Sequence, residues 1–266
     1  MSYIALIAGL PDIIFNDSKL LLRVDEFQQQ LNDYISDDDR KDVDMFFLPN
    51  DNAYIIQLLK KQSPNAQLPT VYPVATLENA LQNGDDSLPV YINEFLSDYK
   101  NDALRYNVLP ENVLSWMYYD YMFTSKNAFV RNFAEFSMNV KNLNAALNAR
   151  KYGFNIEREI IGNNDFAQAL RTSTAKDFGL SLEFRYVEEL VSLFANDNII
   201  EREKGIDLMF WNYLEDATVF EYFSLERVLA FMLRLMIVER WSKLDSESGK
   251  RVFMELVSKL QESVKI

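Results

Sequence analysis

Neither cysteine nor histidine occurs in this chain of 266 residues. Without cysteine there is no disulfide framework and no thiolate chemistry. Without histidine the usual general base, the commonest transition-metal ligand and the near-neutral protonation switch are all missing. Glycine and proline are scarce, with 7 of each. That scarcity argues against an all-β chain rich in tight turns and against glycine-rich phosphate loops. Positive charge is short as well: 27 Lys and Arg against 40 Asp and Glu leave a net charge of −13. No dense basic cluster stands out to displace counterions from a nucleic acid, and the acidic balance disfavours anionic lipid headgroups. Most of this charge reads as solvated surface, with a basic protein partner as the functional possibility.

Long apolar runs are few. The densest lies in residues 224–260, where Arg234 is the one charged residue between Val228 and Val238. Eleven residues is too short for a membrane span, which needs about 20. The stretch therefore reads as a helix buried on most sides, capped by Ser224 and with Glu226 suited to the positive end of its dipole. Arg227 and Arg234 are seven apart and share a narrow face. The apolar N-terminus has no basic residue before Lys19 and is interrupted by Gly9-Leu10-Pro11. It reads as a buried first element of a cytoplasmic protein, not as a signal peptide.

Helical periodicity recurs along the rest of the chain. Leu20, Val24, Phe27, Leu31 and Tyr34 mark a helix over 18–35, with Asp17 or Ser18 as its cap. Asp37-Asp38-Asp39 could offer a cation site, but reads better as the acidic first turn of a helix ended by Pro49. Asp51 or Asn52 then caps a helix running to Leu59. Residues 63–75 carry three prolines and form a loop. Thr76 caps a short helix that Gly84 ends, and Pro89 sits in the first turn of the next.

A long helical region begins at Pro110. Its aromatic residues, Trp116, Tyr118, Tyr119, Tyr121 and Phe123, could stack on sugars or bases but read mainly as core. Phe129, Phe133, Phe136, Val140, Leu143 and Leu147 then form a seam for partner helices, flanked by several Asn, and Gly153 ends the segment. Further helices are expected from Asn163-Asn164-Asp165 to Gly179, after Ser181 with Leu182, Tyr186, Leu190 and Leu193 inward, and around Ile206, Phe210, Tyr213 and Leu214. A last helix carries Val252, Leu256 and Leu260. The fold class is all-α, a multi-helix bundle or funnel, taken as one domain over 1–266.

Residues 129–153 and 229–251 read as degenerate copies offset by a hundred positions, with Asn139 falling on Glu239 and Asn142 on Ser242. Ala5-Leu6-Ile7-Ala8 mirrors Ala146-Leu147-Asn148-Ala149 as a fragment of a third. The pattern resembles the C-type (or d-type) central-stalk subunit family of V-type and archaeal-type rotary ATPases, as a short, divergent bacterial member. The resemblance is carried by Asn142-Leu143 with Arg150, Lys151 and Gly153, by Glu203-Lys204-Gly205-Ile206-Asp207, and by Phe223, Ser224, Glu226, Val228 and Leu229 followed by Glu239. Asn139 and Ser242 depart from it, standing where an acid and an Asn are expected.

The resemblance implies a non-catalytic socket of helical repeats on the cytoplasmic face of the inner membrane. Such a socket would join the shaft and rotor-ring subunits and transmit torque for ion transport, with no cofactor or metal. Asn139, Asn142, Arg150, Lys151, Arg227, Arg234 and Glu239 are its candidate interface or signature residues. The alternatives are a helical scaffold of another complex, or a carboxylate enzyme of glycosidase type, which needs two acids in an aromatic cleft and no histidine. Candidate acids for that reading, Glu215 with Asp216 and Glu188 with Glu189, are sequence neighbours and point about 100° apart on a helix.

Overall fold

A computed structural model describes residues 3–15, 20–62, 69–104, 108–245, 254 and 257. Among them are thirteen helices and no strand. The all-α expectation is met, because apolar residues at helical spacing are what the chain has to bury. The expected caps Asp17 and Ser18, part of the proline loop, and the stripe Val252, Leu256, Leu260 lie outside the described residues.

Contacts group the chain into two compact units: residues 1–40 with 203–266, and residues 41–202. The boundaries fall inside helix α3 (Asp37–Met45) and helix α12 (Ile199–Ala217).

The first unit holds α1 (Ile4–Ala8), α2 (Val24–Leu31), most of α12 and α13 (Leu225–Asp245). Helix α13 is the dense apolar stretch. Val228, Leu229, Ala230, Met232 and Leu235 are fully buried, and the Ser224 hydroxyl accepts the Arg227 N–H at 3.4 Å. No described helix is long and apolar enough to cross a membrane. Helix α2 packs on α13, with Phe27 edge-on to Phe231 at 5.1 Å between ring centroids. It is shorter than the periodicity suggested. Arg23, extended, precedes it, and the Glu26 carboxylate turns back to accept the Arg23 N–H at 3.0 Å. That bond caps the first turn and starts the helix at Val24. Val24, Phe27 and Leu31 are the buried part of the predicted face, while Leu20 and Tyr34 fall outside the helix.

The second unit is organised around α8 (Ala128–Tyr152), which packs against α7 (Pro110–Phe123), α9 (Ile156–Glu159), α10 (Asp165–Thr172) and α11 (Arg185–Phe194). Helix α7 also meets α4 (Leu48–Leu59) and α6 (Val90–Lys100), and α4 meets α5 (Val74–Asn83). The long helical region expected from Pro110 is broken at residues 124–127 into α7 and α8, and its C-terminal end falls at Gly153 as the sequence suggested. Asn127 accepts the Phe129 N–H at 2.8 Å, and Gly153 takes the left-handed conformation (φ +73°) that closes a helix C-terminus. Phe129, Phe133, Phe136, Val140 and Leu143 are buried as the seam required.

Several predicted helix ends move. Pro49 opens α4 instead of ending α3, since a proline in a first turn forfeits no helical bond. Asp51 and Asn52 cap nothing: both lie inside α4 and reach other segments. Helix α5 starts at Val74, ahead of Thr76. Helix α10 ends at Thr172, not at Gly179. Helix α11 starts at Arg185, so Ser181 is no cap, and Leu182, expected in the core, is fully exposed.

Candidate functional site

Four of the candidate signature residues, Asn139, Asn142, Arg234 and Glu239, are buried, while Arg150 and Lys151 are exposed. Asn142 is fully buried and treats one residue as a strand neighbour would. Its amide donates to the Ile161 carbonyl at 2.7 Å and accepts the Ile161 N–H at 2.9 Å. Asn139, also buried, accepts from the Asn164 amide at 3.0 Å, and Asn164 caps α10 through the Ala167 N–H at 2.9 Å. Both amides pin the irregular 160–164 segment to α8. Arg150 lies over the Phe178 ring, 3.5 Å from its centroid, and donates to the carbonyls of Ser173 and Ala175. Lys151 pairs with Asp197 at 3.1 Å on an exposed surface.

In the first unit, Glu239 is buried and accepts the Val24 N–H at 2.6 Å, while its other oxygen meets Lys243 at 2.5 Å. Arg234 is buried, pairs with Glu215 at 3.1 Å and lies 5.1 Å from the Trp211 ring centroid. Burial, with Arg227 nearby, lowers its pKa, and Glu215 opposes the shift. Arg227 itself is half-buried. Asp207, from the Glu203–Asp207 motif, is buried and takes the Arg240 guanidinium and the Trp241 indole N–H. These polar groups are spent on holding the chain together.

Two features face outward. One is the turn between α12 and α13. Phe220 is 82% exposed, Tyr222 68%, Val219 57% and Phe223 51%. Scattered exposed apolar residues are ordinary, but four within five positions form a patch of the kind that marks an interaction site. Buried residues hold the turn from below. Thr218 donates its hydroxyl to the Leu214 carbonyl at 2.8 Å, its own carbonyl accepts the Glu221 N–H at 3.0 Å, and Leu225 is buried on the far side.

The other is an open groove of about 530 Å³ in the second unit, lined by Trp116, Asp120, Phe123, Glu135, Met138 and residues 162–164. Helices α7 and α8 are in antiparallel register here, shown by the Tyr119–Ser137 bond at 3.0 Å and the Lys141–Ser115 bond at 2.8 Å. That register sets Asp120 opposite residue 136, so it brings the Asp120 and Glu135 carboxylates to neighbouring positions on facing helices. Asp120 and Trp116 also have contacts of their own within the chain. This acidic pair escapes a reading of the sequence because its members are fifteen positions apart across a turn. Of the adjacent acids named there, Glu215 serves Arg234 and the Trp211 indole.

Among the described residues, the buried carboxylate of Asp51 has no cationic partner. Asp51 accepts the Val71 and Tyr72 N–H groups at 3.0 and 2.9 Å, fixing the segment after the proline loop, and beside it Asn50 donates to the Pro69 carbonyl at 2.6 Å. Burial raises its pKa to about 6 although both N–H groups pull the other way. The acidic run Asp37-Asp38-Asp39 forms the first turn of α3, where Asp39 accepts the Tyr3 hydroxyl proton at 2.6 Å. Among the described residues no three potential ligands come together in a way that could hold a metal ion.

Residues 1–264 match the model of one protein family, described as protein of unknown function (DUF2764). No curated protein and no solved structure matches the chain. The chain belongs to the DUF2764 family. That match, nearly full-length, overturns the resemblance to the central-stalk subunits of rotary ATPases. Three of the residues that carried the resemblance, Asn142, Arg150 and Glu239, tie irregular segments to their helices.

Proposed function

Starting from a member of a family of unknown function, we propose that the chain is a non-catalytic helical adapter whose work is to hold other proteins. The observation that carries this reading is the turn at 219–223, where three aromatic side chains stand in solvent on a base fixed by Thr218 and Leu225. Exposed aromatic residues on a rigid support are the composition of interface anchors. A tagged full-length protein recovered from its native cells in mild detergent is expected to bring stoichiometric partners with it. A folded, stable protein recovered alone would sink the adapter reading.

The groove favours a second reading, a carboxylate enzyme. Aromatic walls and two acids on facing helices are the minimal equipment of a glycoside hydrolase, one acid protonating the leaving group and the other acting as base or nucleophile. Hydrolysis of a saccharide panel that disappears in both Asp120→Asn and Glu135→Gln would establish it. No turnover across the panel, or turnover surviving both changes, would remove it.

A further inference from the structure

We propose that the turn at 219–223 is an anchor that enters an apolar groove with a basic rim on a partner protein; this deepens the adapter reading and rests on it. The turn arrives in a fixed shape. Thr218 is buried and bonded to Leu214, the Glu221 N–H closes back on Thr218, and the Ser224 hydroxyl receives the Arg227 N–H as α13 begins. Little ordering is left to be done on binding, which is the condition under which a small patch contributes most.

Three observations select the occupant. The first is area. A whole aromatic side chain carries roughly 150–250 Å², so the exposed parts of Val219, Phe220, Tyr222 and Phe223 amount to on the order of 500 Å² at the exposures found. A stable interface buries about 800 Å² on each side. Two copies meeting turn to turn fall short, whereas a groove that wraps the turn also gathers its flanks.

The second is the total charge of −13, which opposes the anionic lipid surface that exposed aromatic residues would otherwise suit. The third is local charge. Residues 215–227 carry Glu215, Asp216, Glu221 and Glu226 against Arg227. Glu215 is engaged by Arg234, while Asp216 is exposed beside the turn. A groove rimmed by Lys or Arg complements this border and would steer the encounter.

The test uses the full-length protein recovered from native cells with its partner. A benzophenone side chain at position 220 is expected to cross-link to a partner peptide whose apolar residues are flanked by Lys or Arg. The double change Phe220→Ser with Tyr222→Ser should cut partner recovery about tenfold or more. Asp216→Lys and raised ionic strength should each cut it a few-fold. Leu208→Ser, an exposed apolar change elsewhere on α12, should leave it intact. Each variant is expected to melt as the parent does, since the changed side chains stand in solvent.

Recovery unaffected by the double change would overturn the anchor while leaving the adapter reading in place. Recovery indifferent to both Asp216→Lys and salt would overturn the basic rim. Co-sedimentation of the parent with anionic phospholipid vesicles, lost in the double variant, would overturn the choice of a protein occupant. A parent recovered without any partner would overturn the adapter reading and the anchor together.

Discussion

Helices α8 and α13 are the two longest among the described residues, and each ties down an irregular segment with a buried polar side chain, but by different chemistry. In α8 the Asn142 amide gives and accepts a hydrogen bond at the same residue, Ile161, and carries no charge. In α13 the Glu239 carboxylate can only accept. It takes the Val24 N–H with one oxygen and balances its charge with Lys243 on the other. A neutral amide satisfies both halves of an exposed peptide without the cost of burying an ion. A carboxylate needs a counter-charge or must give up its own. Asp51 in α4 is the third case, a buried carboxylate stapling two backbone N–H groups without a cation, and its pKa has risen accordingly.

The comparison breaks hardest if the helices themselves are removed from it. Leu143→Asp in α8 and Leu235→Asp in α13 each place an unpaired carboxylate at a fully buried position. Each should cost about 4 kcal/mol or more and abolish cooperative melting of its unit, as followed by circular dichroism. A parent-like melting temperature for either would show that its helix is not buried there.

Asp51 supplies the next largest effect. Its folded pKa, about 6, lies above the ordinary carboxylate value, so the folded chain holds this proton more tightly than the unfolded chain does. Its contribution to stability is therefore greatest below about pH 4, falls as pH rises through about 6, and is flat beyond. The drop is about 3 kcal/mol at most, at about 1.4 kcal/mol per pH unit. Denaturant midpoints measured across that range should show the slope in the parent and lose it in Asp51→Asn. An unaltered slope in the variant would assign it to other groups.

Asn142→Ala should follow, at about 1–3 kcal/mol, because it strands both the N–H and the C=O of Ile161. Glu239→Gln should cost least, below about 1 kcal/mol. The amide oxygen still accepts the Val24 N–H, and what is lost is a pair whose lysine is largely exposed. A reversal of these last two in urea unfolding would mean that the ion pair, not the backbone bond, holds the segment before α2.

How much of this could be read in advance depends on how local each determinant is. The buried face and the C-terminal end of α8 were legible, since the apolar seam and the terminal Gly153 are local signals, whereas its start at the Asn127 cap was absorbed into one continuous helical region. Ser181 and Gly179 sent the same kinds of signal and were overridden. Phe178 and Gly179 both adopt positive φ in a turn that Arg150 covers, so α11 starts only at Arg185. Residue type showed that the Asn residues of α8 were out of place in a helix. Which way Asn142 points, and what it holds, depended on where the chain returns nineteen positions later. The Asp120–Glu135 pair was beyond reach for the same reason. It exists through the register of α7 on α8, and register is a tertiary property. The exposed turn lies just ahead of the apolar stretch that begins at residue 224, and residue type alone does not separate Phe220, in solvent, from Phe231, in the core.

Gly162 lines the groove beside Met138, with φ at +77° and a would-be Cβ only 3.1 Å from the methionine sulfur. Two independent penalties thus fall on one position, one from the backbone and one from its neighbour. In a saturation library this should be among the least tolerant sites outside the core. Any natural variant that accepts asparagine at 162, the side chain least strained at positive φ, should carry a smaller residue at 138. Such linked change would record the close approach of the 160–164 segment to α8 in the sequences themselves, with no structure needed to see it.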